Sequence, residues 1–198
     1  MTRLLPHLLL FLFSVTASLE AASPILSRIL PRGGQQGSTV EMVFTGQRLN
    51  DIHQVLFYTP GFSVQKVVGD EKNANRATAT VTIAPDCKLG EHKLRIVTRT
   101  GLSTLSTFWV GPYETVLEVE PNSDFSSPQV IAINRTVEGR VDNEDVDYYA
   151  VEAKKGQRLS VEVEGIRLGG QNNVIFDPYV AILNSKRFEQ AAADDTPL

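Results

Sequence analysis

The chain has 198 residues, 42% of them hydrophobic, a formal net charge of −4 and a single cysteine. Its basic residues are scattered, which weighs against a nucleic-acid partner, since that would call for a clustered positive face. With Cys87 alone, no internal disulfide and no thiolate metal site can form, and the folded state has to rest on an apolar core. Cys87 itself reads as a small buried hydrophobe.

The first element is a targeting segment. Arg3 is the only charge before an almost wholly apolar run from Leu4 to Ala17, and small residues follow at Ala17, Ser18, Ala21 and Ala22. A basic start, a short apolar stretch and a small-residue exit define a secretory signal peptide, here residues 1–22. Cleavage after Ala17, Ala21 or Ala22 fits equally. A membrane anchor would need about 20 apolar residues, and this run is shorter and broken by Pro6 and His7. The expectation is a protein that is secreted, periplasmic or at the cell surface, with no membrane span after signal cleavage.

Two β-rich units follow, 23–112 and 113–198. In the first, Thr39 to Thr45 alternates, with Val40, Met42 and Phe44 on one face, and Ala77 to Ile83 alternates again against Thr78, Thr80 and Thr82. Lys93 to Thr98 and Ser106 to Val110 complete the legible strands. Turn signals divide them at Pro31–Gly34, Pro60-Gly61, Lys88–Gly90 and Thr100-Gly101. In the second unit, Asp147 to Glu152, Gln157 to Glu164 (Leu159, Val161 and Val163 inward) and Pro178 to Asn184 read as strands, with a turn at Lys154-Lys155-Gly156. Short alternating strands with regular Gly/Pro punctuation predict an all-β protein built of two antiparallel β-sandwich modules. The few strands after Tyr113 leave the second sheet half covered. The expectation is an incomplete second module in a piece of a longer polypeptide; the alternative is a natural end in a disordered tail.

One stretch offers chemistry. Glu118, Glu120 and Asn122 alternate, so an extended chain presents all three on one side, and Asp145-Val146-Asp147 supplies a second acidic group. Hard oxygen ligands gathered from two segments suit Ca²⁺, which takes six to eight of them in flexible geometry. A metal-free alternative stands beside it, with Glu120 and Asn122 capping a turn and Asp147 paired with a neighbouring side chain or backbone amide. Other chemistry is poorly served. His53 and His92 lack a second ligand at metal-binding spacing, no Gly-x-Ser-x-Gly elbow is present, and Gly33-Gly34 and Gly169-Gly170 are turn glycines rather than phosphate loops. Among the aromatic residues, Trp109 beside the junction is the candidate interface residue, and Tyr148 and Tyr149 must put one ring on each side of their strand.

Two resemblances refine this. Glu118-Val-Glu-Pro-Asn122, Val137-Glu-Gly-Arg-Val141, Asp145-Val-Asp-Tyr-Tyr149, Ala153-Lys-Lys-Gly-Gln157, Asp177-Pro-Tyr179 and the closing Asp194-Asp195 resemble the bacterial pre-peptidase C-terminal domain, a jelly-roll-like β-sandwich related to collagenase collagen-binding domains. That resemblance implies calcium ligands at Glu118, Glu120, Asn122, Asp145 and Asp147. The first unit is similar to the IPT/TIG class of immunoglobulin-like domains, through Pro24-Ile-Leu, Pro31–Gly34, Gly37–Val40, Phe44-Thr-Gly46 with Leu49, Gly90–Leu94 and Gly101-Leu-Ser103. The pairing resembles exported proteins of planctomycete-type bacteria. The function this implies is a non-catalytic exported binding or structural module, acting in adhesion, substrate targeting or as a linker. Its partners would be an extracellular protein or polysaccharide and downstream domains of the same polypeptide. The alternative is a set of accessory domains for a secreted peptidase or other hydrolase.

Overall fold

The computed structural model describes residues 22–141, 145–165 and 177–194. The expected signal peptide, Gly169-Gly170 and Asp195 lie outside the described residues. No helix occurs among those described, and the protein is all-β. No described helix is therefore long and apolar enough to cross a membrane.

Two large sheets occupy residues 25–111. The first contains β1 (Ile25–Leu30), β3 (Thr39–Gln47), β5 (Phe62–Gly69) and β6 (Arg76–Ile83), in the antiparallel order β1-β3-β6-β5. The second contains β2 (Gly33–Gln35), β4 (Ile52–Phe57), β7 (Gly90–Thr98) and β9 (Ser106–Gly111), in the order β2-β9-β7-β4. The short β8 (Gly101–Leu102) pairs with β7. All pairs in the second sheet are antiparallel except β2 with β9, where Gly33, Gly34 and Gln35 run alongside Trp109, Val110 and Gly111.

The alternation of side chains along each strand decides what lies between the sheets. From β3 and β6 come Met42, Phe44, Ala77, Ala79, Val81 and Ile83; from β7 and β9 come Leu94, Ile96, Phe108 and Val110, all buried. Phe57 and Phe62 stack at 3.9 Å between ring centroids, and Phe108 meets both edge-on. His92 is fully buried on β7. Its Nε2 sits 2.6 Å from the Lys88 carbonyl and must donate to it, which leaves Nδ1 to accept from the Thr59 hydroxyl at 2.6 Å. Cys87 is buried beside it, and burial pushes its thiol pKa up.

The second half is built differently. β10 (Glu114–Leu117) runs parallel to β12 (Arg135–Glu138), and β11 (Gln129–Val130) runs parallel to β13 (Tyr149–Ala150). Among the described strands of this half, only the hairpin of β14 (Val180–Leu183) and β15 (Glu189–Ala193) is antiparallel. The antiparallel expectation thus fails locally, because long connections such as 118–134 give room for the crossovers that parallel pairs require. The expected strand from Gln157 to Glu164 is also absent. No described strand pairs with it, and Val161 and Val163 are exposed rather than inward. Alternation alone does not make a strand; the backbone donors and acceptors need a ladder to join.

Burial divides sharply along the chain. Among the described residues every buried hydrophobic side chain lies between Leu26 and Val110, and beyond Val110 the one buried side chain is that of Asn122. Phe44 sits in the middle of the apolar layer, so Phe44→Ala should cost about 3–5 kcal/mol. A lowered urea midpoint with an unchanged slope would show it, and an unchanged midpoint would contradict this placement of the core.

Candidate metal centre

Glu118 stands one residue past β10 and extends its ladder, its N–H donating to the Glu138 carbonyl at 3.0 Å. The side chain turns to the other side and gathers donors. Oε1 accepts from the Tyr149 hydroxyl at 2.5 Å and from Asn122 Nδ2 at 3.1 Å, and Oε2 accepts from the Arg140 N–H at 2.7 Å. Gly139 makes this possible: a Cβ there would lie 3.0–3.1 Å from the Glu118 carboxylate, tighter than ordinary contact. Burial pushes the Glu118 pKa up, but hydrogen bonds from Tyr149, Arg140, Asn122 and Asp147 outweigh it and hold the group below its usual value.

Asn122 is fixed from both ends. Its N–H donates to Glu120 Oε2 at 3.0 Å, and its carbonyl accepts from the Tyr148 N–H at 2.9 Å. Alternation places Glu118, Glu120 and Asp147 so that one oxygen of each lies within 4.8 Å of the others. Two oxygens bound to one Ca²⁺ at about 2.4 Å can be at most about 4.8 Å apart, so the three can share an ion. Asp145 is less central. It accepts from Ser123 Oγ at 3.4 Å, and its charge is felt at Asp147.

The sequence-predicted ligands are therefore partly assembled: Glu118, Glu120, Asn122 and Asp147 adjoin one another, with Asp145 at the side. The metal-free alternative is also partly visible, because Glu120 caps Asn122 and Asp147 hydrogen-bonds to Glu118. Two atoms distinguish them. Asn122 Oδ1 and Asp147 Oδ1 are buried with no hydrogen-bond partner among the described residues, and Asn122 is wholly inaccessible. Unpaired buried acceptors are costly, and these two, on residues that adjoin Glu118 and Glu120, are hard oxygens of the kind that Ca²⁺ takes. A turn cap alone leaves both unexplained.

Gly139 and Arg140 carry no signal of their own in the sequence as site formers. Tyr148 and Tyr149 must face opposite ways, which leaves one of them available to cover a bound ion or a ligand. They do: Tyr148 packs edge-on against Phe125 at 5.7 Å, and Arg187 lies over both rings and donates to the Tyr148 hydroxyl at 3.0 Å. Burial, with the bond and charge of Glu118, pushes the Tyr149 phenol pKa well up, so it remains a donor.

No family's sequence profile matches the chain, and no curated protein matches it. Among solved structures, the chain is similar to SGBP-B of the Bacteroides ovatus mixed-linkage glucan utilization locus, which was solved with a mixed-linkage heptasaccharide. The identity is 13% and the TM-score 0.32, over 51% of this chain and 23% of that one. The present chain thus spans about a quarter of that protein's length. So distant a likeness leaves the reading to the residues themselves.

Burial pushes the Asp147 pKa from 3.8 up to about 6, and the charges of Glu118, Asp145 and Glu120 add to the effect. The folded state then holds this proton more tightly than the unfolded chain. Its contribution to stability is complete below about pH 4 and is lost as pH rises through about 6. In EDTA, Asp147→Asn should therefore flatten the fall in melting temperature across that interval. A wild-type curve already flat there would show that Asp147 is not held protonated.

Proposed function

We propose that this chain is an exported, non-catalytic binding or structural module whose second half resembles a pre-peptidase C-terminal domain and is stabilised by Ca²⁺. The observation that carries the reading is the wholly buried Asn122, whose Oδ1 has no hydrogen-bond partner among the described residues and which adjoins Glu118, Glu120 and Asp147. The ion would be held by these four residues, with Asp145 completing the set, and would neutralise carboxylates that otherwise repel one another. Support also comes from what surrounds the centre. With no buried hydrophobic side chain described beyond Val110, a polar centre is left to organise that half.

The apolar run from Leu4 to Ala17 supports export to the periplasm, cell surface or medium, with the IPT/TIG-like first half as a rigid carrier. The partner class is an extracellular protein or polysaccharide, and the ion's role is architectural.

Binding to the folded state alone raises stability by RT ln(1 + [L]/Kd), about 2.7 kcal/mol at 100 times Kd. Thermal melts in EDTA and in millimolar calcium should differ accordingly, with a higher midpoint in calcium. The difference should vanish in Glu120→Ala. Equal midpoints for the wild type in the two buffers would sink the proposal.

A further inference from the structure

Residues 138–140 touch both halves of the chain at once. The Glu138 carbonyl accepts from the Glu118 N–H at 3.0 Å, while its side chain reaches the other way, where Oε1 accepts from the Arg32 N–H at 2.9 Å. Arg32 lies between β1 and β2, in the two-sheet unit. The next two residues, Gly139 and Arg140, form the seat of the Glu118 carboxylate. The neighbouring contacts belong to the same seam. Gln36 N–H donates to the Gly111 carbonyl at 3.0 Å, and Gln35 Nε2 donates to that of Pro112 at 3.1 Å. The seam is not saturated: Arg32 Nη1 and Glu138 Oε2 are each buried without a hydrogen-bond partner among the described residues.

We infer that Glu138 is a positioning residue that couples the carboxylate centre to the two-sheet unit, so that cation binding and the alignment of the two halves are linked. The inference rests on the cation reading and adds to it a definite path. A cation that draws Glu118 towards Asp147 acts on Gly139 and Arg140, and through them on the end of β12. That is the point at which Glu138 meets Arg32. Linkage is reciprocal, so loosening the seam must weaken cation binding by the factor with which the cation tightens the seam.

The test uses the full chain with calcium as the probe. Isothermal titration compares the wild type with Glu138→Gln, whose amide oxygen can still accept from the Arg32 N–H, and with Glu138→Ala, which removes that acceptor. Both variants lose the same charge, so charge alone would weaken calcium binding equally. Coupling through the seam predicts that Glu138→Ala binds calcium about fivefold or more weakly than Glu138→Gln. Spin labels at Lys72→Cys and Lys155→Cys, both exposed while Cys87 is buried, report the alignment directly. Calcium should narrow the distance distribution in the wild type and in Glu138→Gln and leave that of Glu138→Ala broad.

Glu138→Ala binding calcium as tightly as Glu138→Gln would overturn the coupling, as would equal narrowing in all three proteins. Calcium binding by the wild type would in either case leave the cation reading standing. No heat of binding in the wild type would remove the cation reading itself, and the coupling with it. Should Glu138→Ala fail to fold by circular dichroism, Glu138→Leu, which also lacks the acceptor but fills the space, carries the comparison.

Discussion

One carboxylate organises the second half of this protein. Glu118 takes hydrogen bonds from a phenol on β13, an amide four residues ahead, a backbone N–H just after β12, and the carboxyl of Asp147. Those donors come from segments that otherwise share no apolar core among the described residues. A charge-assisted bond is stronger than a neutral one, and several converging on one group fix it better than any alone. The same crowding brings Glu120 and Asp147 close enough to repel. The proposed cation would relieve that repulsion.

The two halves hold together by different physics. The sheets between residues 25 and 111 bury a contiguous set of aliphatic and aromatic side chains, and the hydrophobic effect suffices to define them. Beyond that span Leu117, Val119 and Val130 face solvent, and what is buried is the polar Asn122. Polar organisation of this kind demands that every partner be present. Among the described residues, four of the five buried unpaired side-chain atoms, on Asn122, Asp147, Arg32 and Glu138, lie at the centre or at the seam leading to it; the fifth, Arg95 Nε, lies on β7.

Legibility in the sequence followed the regularity of pairing. β3 and β6 match residue for residue from Thr39–Thr82 to Thr45–Arg76, and their two-residue alternation was plain in the sequence. β1, β4 and β5 were not read as strands, and each carries a register shift: between Leu26 and Arg28, Ile52 and Gln54, and Val64 and Lys66. A bulge inserts one residue and so reverses the facing of everything after it, which erases the period. The opposite error occurred at Gln157–Glu164, where alternation was clear but no described strand lies alongside. At the centre, alternation was enough to put Glu118, Glu120 and Asn122 on one side. The seat itself was not legible, since Gly139 acts by lacking a Cβ and Arg140 by its backbone N–H, and neither property follows a spacing.

The most direct test of the cation centre is terbium luminescence excited through tyrosine. Tb³⁺ is a hard, oxygen-seeking cation that can stand in for Ca²⁺, and the Tyr149 phenol touches a proposed ligand. Terbium emission should rise to saturation on titration, fall when calcium is added in competition, and be lost in Glu120→Ala. Emission that calcium does not displace, or that survives in Glu120→Ala, would contradict a cation seated among Glu118, Glu120, Asn122 and Asp147.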